Sequence, residues 1–356
     1  MPLPRPVNRA GCWIVEEGRL RSCRDPSQEF ASLVCLHTHS SYSREDLAGL
    51  NWVAALGYMR PFKGLLQRSF GLDGVADLDY GQLSYNPPYR PGDIWRMETE
   101  NARRLGIARL LLAITDHDEV AGALELSQQQ PDHSGCIALG EEFSIRFDGH
   151  LFHLGLSGLP EGRLHEVHAS LRASARLGQV DAVFEELGSL GCLVVLNHPL
   201  LAWNRVATQV PALGLLKRYG WAIAALEFNG MRSYAENLRV IELGRHVGKP
   251  LVGGGDSHLL MPSGALCASR ATSYPDFIAE VRSGWSRPLV TREYFRSLRW
   301  KMSLRVLSFI AQYRQIAQFR GEPIHAMLAG RWVLLDPVGM LARLMLRLSD
   351  RLGCSA

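Results

Sequence analysis

The chain has 356 residues, 47% of them hydrophobic and 21% charged, a balance that excludes a disordered, collagen-like or mainly fibrous protein. A net charge of +4 is too mild to imply a nucleic-acid partner from bulk charge. Seven singly placed cysteines with no C-x-x-C pair argue against a disulfide framework or zinc knuckle. The first twenty residues lack an apolar signal core and no run of 18 apolar residues occurs, so a reducing cytoplasm is the expected location.

Seven apolar runs predict buried strands: Leu33–Leu36, Leu110–Ile114, Cys136–Leu139, Leu151–Leu156, Cys192–Leu196, Ile223–Phe228 and Leu251–Gly253. Helical patterns lie between them over Ile94–Leu105, Leu164–Leu177, Val180–Leu190, Tyr234–Val247 and Tyr274–Gly284. Strand–helix alternation predicts an α/β fold built on a parallel sheet or barrel. A stretch at about 49–91, rich in Gly, Tyr, Pro and Asn, reads as an insertion: either a lid over a site or a surface loop with one short helix.

Residues 291–356 carry eleven Lys/Arg against four acids, a segment of +7 that leaves the rest of the chain at about −3. Within it Leu341, Leu344, Met345, Leu348 and Leu352 recur at helical spacing, with Arg343, Arg347 and Arg351 on another stripe. That pattern fits a helix packed on the barrel with its arginines in water. It also fits a peripheral membrane helix or one that docks a protein partner.

Chemistry-bearing residues fall in six islands placed at or near strand ends: Leu36-His37-Thr38-His39, Thr115-Asp116-His117-Asp118, Gly140-Glu141-Glu142-Phe143-Ser144, His150-Leu151-Phe152-His153-Leu154-Gly155, Asn197-His198-Pro199 and Gly255-Asp256-Ser257-His258. In a β/α barrel the loops after the strands converge on one face, where ligands bind. Alternate residues of a strand point the same way, so His37 and His39 can reach one metal. Singly, each island has an ordinary reading: an Asp before a helix is usually its N-cap, and a His-Pro is usually a turn. Together they place a metal-ligating side chain at one strand after another. Burying so many ionisable groups is costly unless metal ions offset it.

The ordered set H-x-H, T-D-H, G-x-E, H-x-L-G, H-P and G-x-D-x-H resembles the polymerase-and-histidinol-phosphatase (PHP) superfamily of metal-dependent phosphoesterases, over about Leu33 to Val290. The resemblance implies a distorted (β/α)7 barrel at 33–290, with residues 1–32 as an N-terminal extension, the insertion at about 49–91, and a basic helical C-terminal extension at 291–356. It implies two or three divalent ions, commonly zinc, manganese or iron. By position, His37, His39, Glu142 and Asp256 would hold one ion. Glu142 would bridge to a second completed by His153 and His198, and His117 with His258 resembles a third site. Glu141 is then the neighbour facing the other way, and His150 is a supporting or surface histidine.

The same resemblance implies attack by a metal-bridging hydroxide, with Asp256 orienting or deprotonating the water and His117 or His258 protonating the leaving oxygen. The expected substrate is a phosphate ester, more a small-molecule monoester than a nucleic acid, although the basic tail keeps the latter open. Amidohydrolase-like and nuclease-type metallohydrolases share the opening His-x-His. A third reading is a metal-stabilised scaffold that binds a partner or membrane through its tail. Three positions depart from the family pattern. Cys35 stands where Asp is usual, Arg44 precedes Glu45 and Asp46 in the first loop, and Gly255 replaces a common Ser. Arg44 would either offer its fork of donors to a phosphate or lie in solvent. Substrate, metal identity and oligomeric state are not set by the sequence.

Overall fold

The computed structural model describes residues 11–46, 84–87, 89–200, 210–258, 261–297 and 301. Most of the insertion at about 49–91, and the basic stripe from Leu341 to Leu352, lie outside the described residues. The chain divides into two units. The first comprises Met1–Ser43, Arg90–Ser257 and Met261–Arg296; the second comprises Arg44–Tyr89, His258–Leu260 and Ser297–Ala356.

In the first unit each predicted apolar run becomes a strand, in a mixed α/β architecture. Chain order is β1 (Cys12–Glu16), β2 (Arg19–Cys23), β3 (Ser32–Cys35), α1 (Pro91–Arg104), β6 (Arg109–Ala113), α2 (Ala121–Gln129), β7 (Ile137–Ala138), β8 (Gly140–Phe147) and β9 (His150–Ser157). There follow α3 (Leu164–Arg176), α4 (Val180–Leu190), β10 (Leu193–Leu196), α5 (Pro211–Tyr219), β11 (Ala225–Asn229), α6 (Tyr234–Val247), β12 (Leu251–Gly254), β13 (Ala265–Ser269), α7 (Tyr274–Arg282) and β14 (Arg287–Thr291). In the second unit β4 (Glu45–Asp46) and β5 (Ser84–Tyr85) form an antiparallel pair. The helices have local reasons to begin and end. α6 opens on a capping box between Ser233 and Glu236 and closes on left-handed Gly248, and α4 closes on left-handed Gly191.

The first unit's strands form two sheets, in the orders β2-β1-β14-β13-β3-β6-β7 and β12-β11-β10-β9-β8. A closed (β/α)7 barrel, expected from the family resemblance, is not formed among the described residues. Two elements account for this. β13 runs antiparallel along β3 and occupies the place where β12 would have completed the ladder. A Cβ on Gly253 of β12 would collide with the carbonyl of Leu266 in β13, so the two strands meet without a side chain between them. β9 runs antiparallel to both its neighbours, which turns β8–β9 into a hairpin instead of a βαβ unit. Single bridges join the sheets where the strands give out: Thr38 pairs with Ser257, and His117 with Glu142, both parallel.

Residues 11–30 are integral to this unit. β1 and β2 form a hairpin whose outer partner is β14, with Cys12 opposite Thr291, and Trp13 packs with Val15, Phe228, Ile241, Ala265, Val290 and Tyr294. The hairpin turns on Glu17-Gly18, both with positive φ, and β8–β9 turns on Asp148-Gly149 in the same way. Six described cysteines are buried thiols. Among the described residues no helix is long and apolar enough to cross a membrane.

Candidate metal centre

Glu142 is the hub of the site. It lies at the start of β8, 1% exposed, and both its oxygens face imidazoles from other strands. Oε2 lies 3.1 Å from His37 Nε2, 3.3 Å from His39 Nε2 and 3.3 Å from His117 Nδ1. Oε1 lies 3.0 Å from His198 Nε2 and 3.4 Å from His153 Nδ1, and accepts from Asn197 Nδ2 at 3.0 Å. Asp256 stands further off, its Oδ1 3.9 Å from His37 Nε2 and 3.8 Å from His39 Nε2.

Local structure explains the convergence. His37 and His39 follow β3, His117 follows β6, His198 follows β10 and Asp256 follows β12, all where parallel strands end; His153 reaches in from the middle of β9. Three side chains or their neighbours are held at left-handed backbone angles: His198 at φ 29°, Asp256 at φ 49° and Asp118 at φ 50°. Such angles in non-glycine residues are uncommon and concentrate where structure serves a site.

The loop after β3 is clamped by buried polar groups, among them an Asp for which a helix N-cap was the ordinary reading. Asp116 is fully buried and accepts from both the backbone and the hydroxyl of Ser40, the latter at 2.6 Å. Ser43 Oγ lies 3.2 Å from His39 Nδ1 and accepts from the His117 backbone at 3.1 Å. The capping of α2 falls instead to Glu119, which accepts from the backbone of Val120 and Ala121. Asp118 accepts from the Ser144 backbone at 2.8 Å and pairs with Arg172 at 2.6 Å, tying the His117 loop to β8 and α3.

The donor set fits metal ions. Three clusters of ligand atoms lie within 4.8 Å of one another in the first unit: His37, His39 and Asp256; His37, Glu142 and His198; and His117, Glu142 and His153. His37 Nε2 and His39 Nε2 face each other at 3.0 Å, an arrangement in which two imidazoles compete for one proton unless a cation lies between their lone pairs. His153 Nδ1 is buried without a partner of hydrogen-bonding geometry. Relative to the expected assignment, His153 clusters with His117 as well as with Glu142, and His198 clusters with His37.

Electrostatics follow the geometry. Burial alone would raise the Glu142 pKa, yet His37, His117 and His153 hold it well below the usual carboxylate range. Burial opposes charge on His37, but Glu142 and Glu227 outweigh it and hold its pKa well above that of a free imidazole. For His153 burial prevails over the pull of Glu142, and its pKa is lowered.

Glu141 points the other way, as expected, with its Oε2 3.0 Å from His168 Nδ1 on α3. That bond is the main reason the His168 pKa is raised, against the effect of burial. A raised folded-state pKa gives stability that is present below the unfolded value of about 6.5 and is lost as pH rises through the folded value. In chelated protein, His168→Gln is therefore expected to lower the melting temperature more at pH 6 than at pH 9. Equal losses at both would show that the imidazolium contributes nothing.

The remaining expected residues are placed as follows. His258 lies in the second unit, its Nε2 2.9 Å from Glu45 Oε2, both side chains 5% exposed. His150 is half-buried at the tip of the β8–β9 hairpin, opposite Phe147 and away from Glu142. Arg44 is exposed. Cys35 is buried, its thiol 3.5 Å from Ser263 Oγ. A Cβ on Gly255 would collide with that same serine, so Ser263 makes glycine the fitting residue there.

Sequence reasoning missed Glu227, Asn229 and Asn197. Glu227 is 1% exposed on β11 and lies 2.6 Å from His37 Nδ1. Its signal was present: a carboxylate inside the apolar run Ile223–Phe228, where both faces of the strand are buried.

No protein-family model and no curated protein matches the chain. Solved structures overlap it in part. A protein from Bifidobacterium adolescentis described as "a putative metal-dependent phosphoesterase" is 16% identical, with 55% of this chain and 91% of that one covered at a TM-score of 0.36. An amidohydrolase from Chromobacterium violaceum is 17% identical, with 48% and 83% covered at 0.35. PsfC from Pseudomonas syringae PB-5123 is 17% identical, with 63% and 89% covered at 0.38.

Proposed function

We propose that the chain is a metal-dependent hydrolase of the PHP type that cleaves a small-molecule phosphomonoester. One observation carries the reading: a single buried carboxylate, Glu142, presents both oxygens to five imidazoles, in a centre with Asp256 at its edge. Divalent ions held by His37, His39, Glu142, His153, His198 and Asp256 would activate water and neutralise phosphoryl charge. Mixed imidazole and carboxylate donors suit zinc, manganese or iron.

The chain's own groups do the rest. Glu142 sets the separation of the two donor clusters it shares. Asp256, 14% exposed, would orient a water or take its proton. His117, 20% exposed, would return a proton to the leaving oxygen. The resemblance gives His258 a share in that role. No Ser or Cys nucleophile is required.

The test is elemental analysis of the purified chain, then a phosphate-release screen across monoesters and diesters with the matching metal, on wild type and on a double variant with His37→Ala and His39→Ala. Bound metal and monoester hydrolysis, both lost in the variant, are expected. Absence of metal, or of activity on every ester with metal bound, would sink the proposal.

A further inference from the structure

β11 donates no ligand in this reading, yet its interior is polar. β11 lies between β10 and β12, and its residues are buried throughout, yet it carries Glu227 and Asn229 beside Phe228. We infer that Glu227 is a positioning residue for the metal centre: one buried carboxylate holds His37 and His198 in their ligating orientations and, through Asn229, reaches Asp256. The inference rests on the metal-site reading above.

Three contacts converge on Glu227. Its Oε1 lies 2.6 Å from His37 Nδ1, on the side of the ring away from Glu142. Its Oε2 accepts from the His198 backbone N–H at 2.8 Å, at the residue whose φ of 29° is the most compressed of the left-handed set. The same oxygen accepts from Asn229 Nδ2 at 2.9 Å, and that amide nitrogen also lies 3.1 Å from Asp256 Oδ2. Candidate ligands on the ends of β3, β10 and β12 are thus tied to one carboxylate–amide pair.

The pair is itself held fast. The Asn229 backbone donates to Asn237 Oδ1 at 3.0 Å, and Asn237 Nδ2 donates back to the Asn229 carbonyl at 2.9 Å and to Tyr294 Oη at 2.9 Å. On the neighbouring strand, Gly254 leaves out the Cβ that would collide with the Glu227 carboxylate. Donation of a proton from His37 Nδ1 to Glu227 directs Nε2 at the ion, the arrangement by which an outer carboxylate sets the tautomer and basicity of a metal-bound histidine.

Glu227→Gln keeps the shape and replaces one acceptor oxygen by an NH2 group, which cannot accept from any of the three donors. In the full-length chain titrated with Co(II), the variant is expected to lose about 10- to 100-fold in metal affinity, with an altered d–d spectrum and a fall in kcat larger than any change in KM. Glu227→Asp, which keeps the charge but shortens the reach, should recover part of the spectrum. A merely structural role would lower the melting temperature of the metal-free protein while leaving Co(II) affinity and spectrum at wild-type values, and would overturn the inference.

Because variants can fail to fold, nitrogen NMR of the zinc-loaded wild type gives a direct reading. Protonated Nδ1 with metal at Nε2 of His37 is expected, and the reverse would overturn the inference. The two levels fail separately. A wild-type chain that binds no Co(II) removes the metal reading and this inference together, whereas a metal-loaded, active wild type with an indistinguishable Glu227→Gln variant removes only the inference.

Discussion

Glu142→Gln should leave a folded chain that releases phosphate about a thousandfold more slowly, a loss of about 4 kcal/mol in transition-state stabilisation. Among the described residues the carboxylate is the only group whose two oxygens each meet imidazoles from different strands. An amide keeps the volume but aims an NH2 group at nitrogen lone pairs, so two of the three donor clusters lose their shared anion. In the metal-free protein the same change removes one of the two anions that favour charge on His37, the other being Glu227, and breaking a buried pair of this kind costs roughly 3 kcal/mol or more. Elemental analysis, phosphate release and chemical denaturation check the three parts. A variant that holds its metal and stays within tenfold of wild type would show that Glu142 is peripheral to the chemistry.

Stripping the metal should lower the melting temperature by roughly 10 °C. A ligand present at a thousand times its dissociation constant stabilises by about 4 kcal/mol, and each kcal/mol moves a domain of this size by about 2–4 °C. The sign follows from the site: without an ion the cluster must keep imidazoles facing one another and His153 Nδ1 buried without a hydrogen bond. Because His37 holds a proton in the metal-free protein, uptake of the ion displaces it, and apparent affinity should rise with pH. Scans before and after chelation, at two pH values, test both statements. An unchanged melting temperature would mean that no structural ion was present.

The strands were legible because those buried on both faces are written as uninterrupted apolar runs, and Leu110–Ile114 and Cys192–Leu196 are plain examples. The pairing that interrupts the barrel was not. β13 and β14 lie outside the seven predicted apolar runs, and the pairing of β13 along β3 had no local signature. The Glu17-Gly18 and Asp148-Gly149 hairpin turns did have one.

At the site, the ligand types announced themselves by spacing, His37 with His39 above all. Asp116 and Glu227 did not, because a clamp or a positioning carboxylate has no spacing rule and is defined by what it meets across the fold. Only the solitary acid inside an apolar strand hinted at Glu227.

The two bridges that join the sheets have a consequence for ion choice. Thr38 sits between His37 and His39, Ser257 follows Asp256, and the other bridge is made by His117 and Glu142 themselves. The donor atoms therefore straddle a seam where isolated bridges replace a continuous ladder. A continuous ladder would fix the gap between opposing donors rigidly. A seam joined at isolated bridges constrains the gap less, while both sheets stay whole. A centre of this kind would accept cations of different radius, so zinc, manganese and iron would each be expected to bind, with metal supply deciding among them.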